Sequence, residues 1–267
     1  MELESRYGFS VTPFTREIDV KKHFKLPAFE DVVKGVKRTI EKRMSAAIIA
    51  PAGTGKTQIL RSVCSSLPEA RYKVTYTKLT NLSARDMCRE ISQAVGARLS
   101  GNFPALVRNL QERFEMASDT EGLRPVVLMD DCHDIRPSVL SIIRLLTNFD
   151  MDSRLVVSFV LAGQPQLRTM LAREELEEVA RRINHYGEVR LLSRPETKQY
   201  MQHRTTVAGA KKFPFDDGSI EAIYEISRGN LRAIDAIALK ALEVASDAGA
   251  EVVDQNHVLE AKRLLWP

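Results

Sequence analysis

"IIAPAGTGKTQIL", residues 48–60, opens on apolar residues, passes through a loop of small ones and reaches a lysine followed by threonine. A strand ending at Ala50, then "PAGTGKT", then a helix from Lys56 is the arrangement of a phosphate-binding loop. Small residues let successive backbone N–H groups turn toward one point, and the helix N-terminus adds the positive end of its dipole. In such a loop the lysine reaches the β- and γ-phosphates and the next hydroxyl ligates Mg²⁺. The stretch therefore predicts that Pro51, Ala52, Gly53, Thr54, Gly55, Lys56, Thr57 and Gln58 hold ATP, with Thr57 on the magnesium. The usual first glycine of the loop is Ala50 here, at a position that needs only a small side chain.

Outward from that corner, short apolar runs alternate with helical patterns. "SAAIIA" (45–50), "YKVTYTKL" (72–79), "PVVLMD" (125–130), "RLVVSFVLAG" (154–163) and "GEVRLL" (187–192) read as five strands. The first, third and fourth are almost continuously apolar, as strands covered on both faces are. Helical stretches fall near 56–67, 83–95, 103–118, 137–148 and 164–183. This alternation predicts an α/β fold, a three-layer sandwich around a mostly parallel five-stranded sheet. After about residue 195 strand patterns stop and four helices follow, each with a polar start. The expected organisation is an N-terminal segment at 1–43, the α/β core at 44–194 and a small all-helical domain at 195–267.

A phosphate loop needs a second acid for its cation. "PVVLMDDCHDI" (125–135) delivers Asp130 at the end of a buried strand, where ligands collect in open α/β sheets. Asp130 is expected to hold Mg²⁺ through water and Asp131 to polarise the attacking water. Asp134, before "IRPS", reads as a helix cap.

Composition narrows the class. The chain has 267 residues, a net charge of +4 and 28% charged residues. No run of 18 apolar residues exists and "MELESRYGFS" lacks a charged-then-apolar leader, so a cytoplasmic protein with no membrane partner is expected. Cys64, Cys88 and Cys132 form no CxxC pair, which suits a reducing compartment. Residues 21–43 hold eight Lys/Arg against three Asp/Glu. Phe29, Val32, Val33, Val36 and Ile40 recur there at helical spacing, leaving Lys34, Lys37, Arg38 and Glu41 off the apolar stripe. That face reads either as solvated or as a contact surface for a phosphate backbone.

Seven stretches together resemble one family: "YGFSVTPF" (7–14), "APAGTGKT" (50–57), "VVLMDDCHDI" (126–135), "IIRLLTNFD" (142–150), "FVLAGQPQLRTML" (159–171), "RRINHYGEVRLL" (181–192) and "ISRGNLRAID" (226–235). They are similar to the AAA+ ATPases of the ExeA/GspA type and their transposition relatives (TniB, TnsC, MuB). The resemblance implies that Gln164 reads the γ-phosphate. It also implies that Arg182 is supplied in trans to a neighbour's ATP, with Arg181 as second choice, and that Arg232 acts as a second sensor. The family usually has Asp-Glu where this chain has Asp130-Asp131. A carboxylate one methylene shorter retracts by roughly 1 Å, and misplacement of that size costs about 10²-fold in rate. Slow hydrolysis of ATP to ADP and phosphate is therefore expected, as in a timer.

The same resemblance implies a homo-oligomer, ring or filament, that binds duplex DNA in an ATP-dependent way. It would regulate a transposase, with a target-selector protein as a further partner. Lys78, Thr80 and Arg85, at the exit of the second strand, correspond to loops that face DNA in encircling AAA+ proteins. They read equally as a solvated loop with a helix cap at Ser83. The alternative within the family is a secretion-assembly ATPase. The secretion members continue into a membrane span, and a chain ending at Pro267 favours the transposition side.

Overall fold

A computed structural model describes residues 2–15, 17–78 and 82–265. Thr80 lies outside the described residues. The chain divides into two compact units, one of residues 26–51 and 56–189, the other of 1–25, 52–55 and 190–267.

The first unit is built on five parallel strands: β1 (Ser45–Ile49), β2 (Tyr72–Lys78), β3 (Arg124–Asp130), β4 (Ser158–Gly163) and β5 (Ile183–Glu188). Their order is β2-β3-β4-β1-β5. The central strands β1 and β4 are buried at every position, and β3 at all but its first. Alternate residues go to opposite faces, as the strand period of two demands. Ala47, Ile49, Val127, Met129, Phe159 and Leu161 pack with residues of the helices Ala84–Val95 and Phe103–Asp119. Ala46, Ile48, Val126, Leu128, Val160 and Ala162 pack on the other side with Val32, Val36, Ile40, Ile59, Leu60 and Val63. Three layers result, with the amphipathic helix Pro27–Glu41 and the helix Lys56–Ser66 forming one outer layer. The apolar stripe read from residues 29–40 is the face that helix buries, and Lys34 stays exposed near Glu30 and Asp31 of its own helix.

β5, at one edge of the sheet, is the least legible strand, whereas β2 at the other edge lies where it is expected. β5 was expected at 187–192 and lies at 183–188, because an edge strand needs only one apolar face and "INHYGE" shows no continuous run. Gly187 lets the helix Pro27–Glu41 approach β5, since a Cβ there would stand 2.6 Å from Val32 Cγ1. β4 begins at Ser158, not at 154, and Arg154 instead forms an isolated antiparallel bridge with Phe149. The stretch 137–148 is two short helices, Pro137–Leu140 and Ile142–Leu146. The stretch 164–183 is likewise split, into Pro165–Leu171, a 3₁₀ turn at Glu174–Leu176 and Glu177–Ala180. Asp134 is not a helix cap. It sits inside a 3₁₀ turn, Cys132–Asp134, and the helix that follows starts after Arg136. Ser83 does cap its helix, accepting from the Asp86 N–H at 3.2 Å.

The second unit contains the four C-terminal helices Arg194–Val207, Asp217–Ser227, Leu231–Asp247 and Gln255–Leu265. Their starts are capped by side chains suited to it: Asp216 accepts from Ser219 N–H and Asn230 from Ala233 N–H. The N-terminal segment, whose short helix Glu2–Tyr7 has no sequence signal, is tied to these helices. Tyr7 donates to the Ala250 carbonyl at 2.9 Å and Ser10 N–H to the Ala208 carbonyl at 2.7 Å.

Candidate functional site

The loop from Ala50 to Gly55 starts where β1 ends, with Ala50 N–H bonded to the Gly163 carbonyl of β4 at 3.0 Å. Gly53 and Gly55 have φ of 75° and 93°, values that L side chains resist and that turn backbone amides inward. Lys56 is 9% exposed, and its Nζ donates to the Ala50 and Pro51 carbonyls, both at 3.2 Å. The loop therefore fits a phosphate group: its two glycines adopt the left-handed backbone such a loop uses, and its lysine is held against it.

Beside it, the Thr57 hydroxyl donates to Asp130 Oδ2 at 2.9 Å. Asp130, 3% exposed, also accepts from the Tyr76 hydroxyl at 3.2 Å and, through Oδ1, from Asp131 N–H at 2.9 Å. Thr57 and Asp130 thus bring together the two oxygen donors that a hard cation such as Mg²⁺ prefers. Tyr76 was not singled out from the sequence. Burial, followed by the Asp130 charge and hydrogen bond, pushes its phenol up to about 12, so it remains a donor throughout the physiological range.

Asp131 is left-handed at φ 57°, and its Oδ2 lies 3.2 Å from Lys78 Nζ. The pairing Lys78↔Asp130 across β2 and β3 brings the two together. One of the residues expected to face DNA is thus the ion-pair partner of the residue expected to activate water. Arg85 is exposed and donates to the Gly101 carbonyl.

Gln164 precedes the helix Pro165–Leu171, and its side-chain amide meets His133 Nε2 instead of capping that helix. His133 Nδ1 is buried with no hydrogen-bond partner among the described residues. The "DDCHD" run carried no signal for this contact. Arg182 donates from Nε to Thr147 Oγ1 at 2.8 Å, from Nη1 to the Glu178 carbonyl at 3.1 Å and from Nη2 to Asp152 Oδ1 at 2.6 Å. Arg181 is exposed and pairs with Glu177 at 2.6 Å within its own turn.

In the helical unit, Arg232 is exposed and its backbone N–H donates to the Gly53 carbonyl at 3.1 Å. Asn230 adds a second tie, donating from Nδ2 to the Ala52 carbonyl at 2.6 Å while capping its helix. A Cβ on Gly53 would stand 2.3 Å from Asn230 Oδ1. The cap was readable from "GNLR", but not its grip on the loop.

A parallel sheet with a phosphate loop after its fourth strand in spatial order and a buried aspartate at the end of β3 defines the P-loop class of nucleotide-binding proteins. Residues 38–171, half of the chain, match the family model described as AAA domain, and the chain belongs to that family. It is 30% identical over 202 residues to general secretion pathway protein A of Aeromonas hydrophila, a match covering 75% of this chain. The chain spans 37% of the length of that relative. Among solved structures, Cdc6p of Pyrobaculum aerophilum is similar with a TM-score of 0.76 at 14% identity, over 94% of this chain and 70% of that one. The ORC1 protein of Aeropyrum pernix, in complex with DNA, has a TM-score of 0.68 at 16% identity, covering 94% and 68%. The RuvB Holliday junction branch migration motor of Thermotoga maritima reaches 0.60 at 16% identity, covering 90% and 68%. These likenesses establish the fold. Among the described residues no helix is long and apolar enough to cross a membrane.

Proposed function

We propose that the protein hydrolyses ATP to ADP and phosphate with Mg²⁺, assembles with copies of itself on duplex DNA in the ATP form, and through that assembly regulates a transposase. The observation that carries the ATPase part is the 2.9 Å bond between Thr57 and Asp130, two oxygen donors beside a phosphate loop. Thr57 and Asp130 would hold Mg²⁺ between them, and Lys56 would supply positive charge to the β- and γ-phosphates. When bound, the cation neutralises charge that develops on the phosphate oxygens. Asp131 polarises the attacking water, Gln164 reads the γ-phosphate, Arg182 is offered to a neighbouring copy's nucleotide and Arg232 acts as a second sensor.

The DNA part is supported by the 61% exposed Lys78 side chain, by exposed Arg85 and by the excess of Lys/Arg over Asp/Glu in residues 21–43. A few phosphate contacts per copy bind weakly at physiological salt, and an oligomer sums them along one duplex. Retention of labelled duplex should therefore need ATP, fall steeply with salt, and fall again in Lys78→Ala and Arg85→Ala variants that still bind ATP. The likeness to general secretion pathway protein A favours a second reading, a secretion-assembly ATPase. Equal, negligible retention with ATP, ADP and no nucleotide defeats the DNA reading and selects the second.

A further inference from the structure

Asp150, Met151 and Asp152 follow one another with φ of 49°, 58° and 66°. Left-handed backbone is costly for side chains other than glycine, and three such residues in a row persist only where their surroundings impose the shape. Here the surroundings do. Phe149 and Arg154 bridge across the base of the turn, Ser153 Oγ donates to the Asp150 carbonyl at 2.7 Å, and the Arg154 guanidinium is drawn to Asp119 and to Asp150. The turn leaves Met151 98% exposed and sets Asp152 against Arg182 at 2.6 Å.

Each nitrogen of the Arg182 guanidinium donates to a different partner: the Thr147 hydroxyl, the Glu178 carbonyl and the Asp152 carboxylate. A guanidinium has five N–H groups, so two remain for another acceptor. Arg182 lines a cavity of about 670 Å³ together with Arg43, Arg144, Arg181 and Asp152. Arg181, with a 74% exposed side chain, pairs with Glu177 of its own turn, whereas the Arg182 side chain is 20% exposed. An arginine whose plane is already fixed loses less freedom when it meets a phosphate.

We propose that Asp152 is a positioning residue: the left-handed turn 150–152 fixes the Arg182 guanidinium with two N–H groups left for the nucleotide phosphate of a neighbouring copy. This rests on the reading of Arg182 as the arginine given in trans. The strained turn is then the device that orients the arginine, and it chooses Arg182 over Arg181.

The test is ATP turnover by the full chain over a range of ATP concentrations, with thermal unfolding measured in parallel. The variants are Asp152→Asn, Asp152→Gly, Arg182→Ala and the double variant Asp152→Asn with Arg182→Ala. Asp152→Gly removes the carboxylate while accepting φ of 66° without strain, so it keeps the test valid if Asp152→Asn unfolds. Loss of the positioning contact should lower kcat about 10-fold with KM unchanged. In the Arg182→Ala background the second substitution should add nothing, because Asp152 acts through Arg182. Unchanged or increased kcat in both Asp152 variants overturns the proposal, and so does a multiplied loss in the double variant. If Arg182→Ala is inactive while both Asp152 variants match the wild type, only the role of Asp152 falls. Wild-type turnover by Arg182→Ala removes the trans reading and the proposal together.

Discussion

Two aspartates lose most of their contact with water, Asp130 at the end of the sheet and Asp235 among the C-terminal helices, and they are surrounded in opposite ways. Asp130 accepts from three uncharged donors: Thr57, Tyr76 and the Asp131 backbone. Asp235 accepts from the Tyr200 hydroxyl at 2.8 Å and lies 3.9 Å from the Arg204 guanidinium, which is 5% exposed. Arg204 also donates to the Thr15 carbonyl at 2.6 Å and lies over the rings of Phe14 and Tyr200. Burial, against the opposing pull of Arg204, pushes the Asp235 carboxyl up to about 6. Hydroxyl and amide donors can be rearranged around a cation, so the first site can receive charge. The second is closed by its own cation and two aromatic rings, and it fastens the N-terminal segment to the helices. A buried carboxylate therefore says little about function until its donors are known.

The largest effect expected to sharpen this contrast is at Asp131. Asp131→Asn should leave nucleotide affinity intact and lower kcat about 10²–10⁴-fold, the usual range for a lost general base. Asp131→Glu should raise the rate above wild type if retraction of the carboxylate limits it. Unchanged turnover in both would take Asp131 out of the chemistry. Next comes Lys56→Ala, which removes a nearly buried cation beside the loop. Affinity for a fluorescent ATP analogue should weaken about 10²-fold, as for other buried charge pairs that lose a partner. Wild-type affinity would break the phosphate-loop assignment.

At Asp235 the expected effect is on stability. Its folded value of about 6 lies above the ordinary 3.8, so the fold favours the protonated form. The stability this contributes is present below pH 4 or so and is lost as pH rises through about 6. Unfolding free energy of the wild type should fall by about 3 kcal/mol across that window. Asp235→Asn should flatten that slope, as followed by denaturant titration at several pH values, with turnover unchanged. A lost turnover would erase the distinction between the two aspartates. The smallest effect is that of Tyr76→Phe, which removes one neutral donor from Asp130. It should shift the Mg²⁺ concentration for half-maximal turnover by about threefold, the scale of one ordinary hydrogen bond. A loss as large as that of Lys56→Ala would make the phenol part of the chemistry.

Much of the first site was legible because its residues sit on local patterns. "PAGTGKT" after a strand and "DD" at the end of another mark the loop and the acid, and the sheet carries both to the same edge. Tyr76 was not legible: on β2 it reads as an ordinary exposed aromatic, and only the packing of β2 beside β3 puts its hydroxyl on Asp130. Lys78 reads equally as a DNA-facing cation or as part of a solvated loop, and only the register of that pair sets it against Asp131. β5 escaped because edge strands carry a weak apolar signal, so its start was read four residues late.

The amino-acid sequence by itself determined the α/β class, the loop "PAGTGKT" between a strand and a helix, Asp130 at the end of a buried strand, and the core face of the helix Pro27–Glu41, whose Val32, Val36 and Ile40 are buried. These follow from periodicity and from loop chemistry, which depend on neighbours a few residues away. Only the tertiary structure decided that Asn230 ties down Ala52, that Gln164 meets His133, that Lys78 pairs with Asp131 and that a strained turn brings Asp152 to Arg182. Each of those contacts joins residues about 30 or more positions apart in the chain, and their meeting depends on strand register and backbone shape rather than on any local pattern.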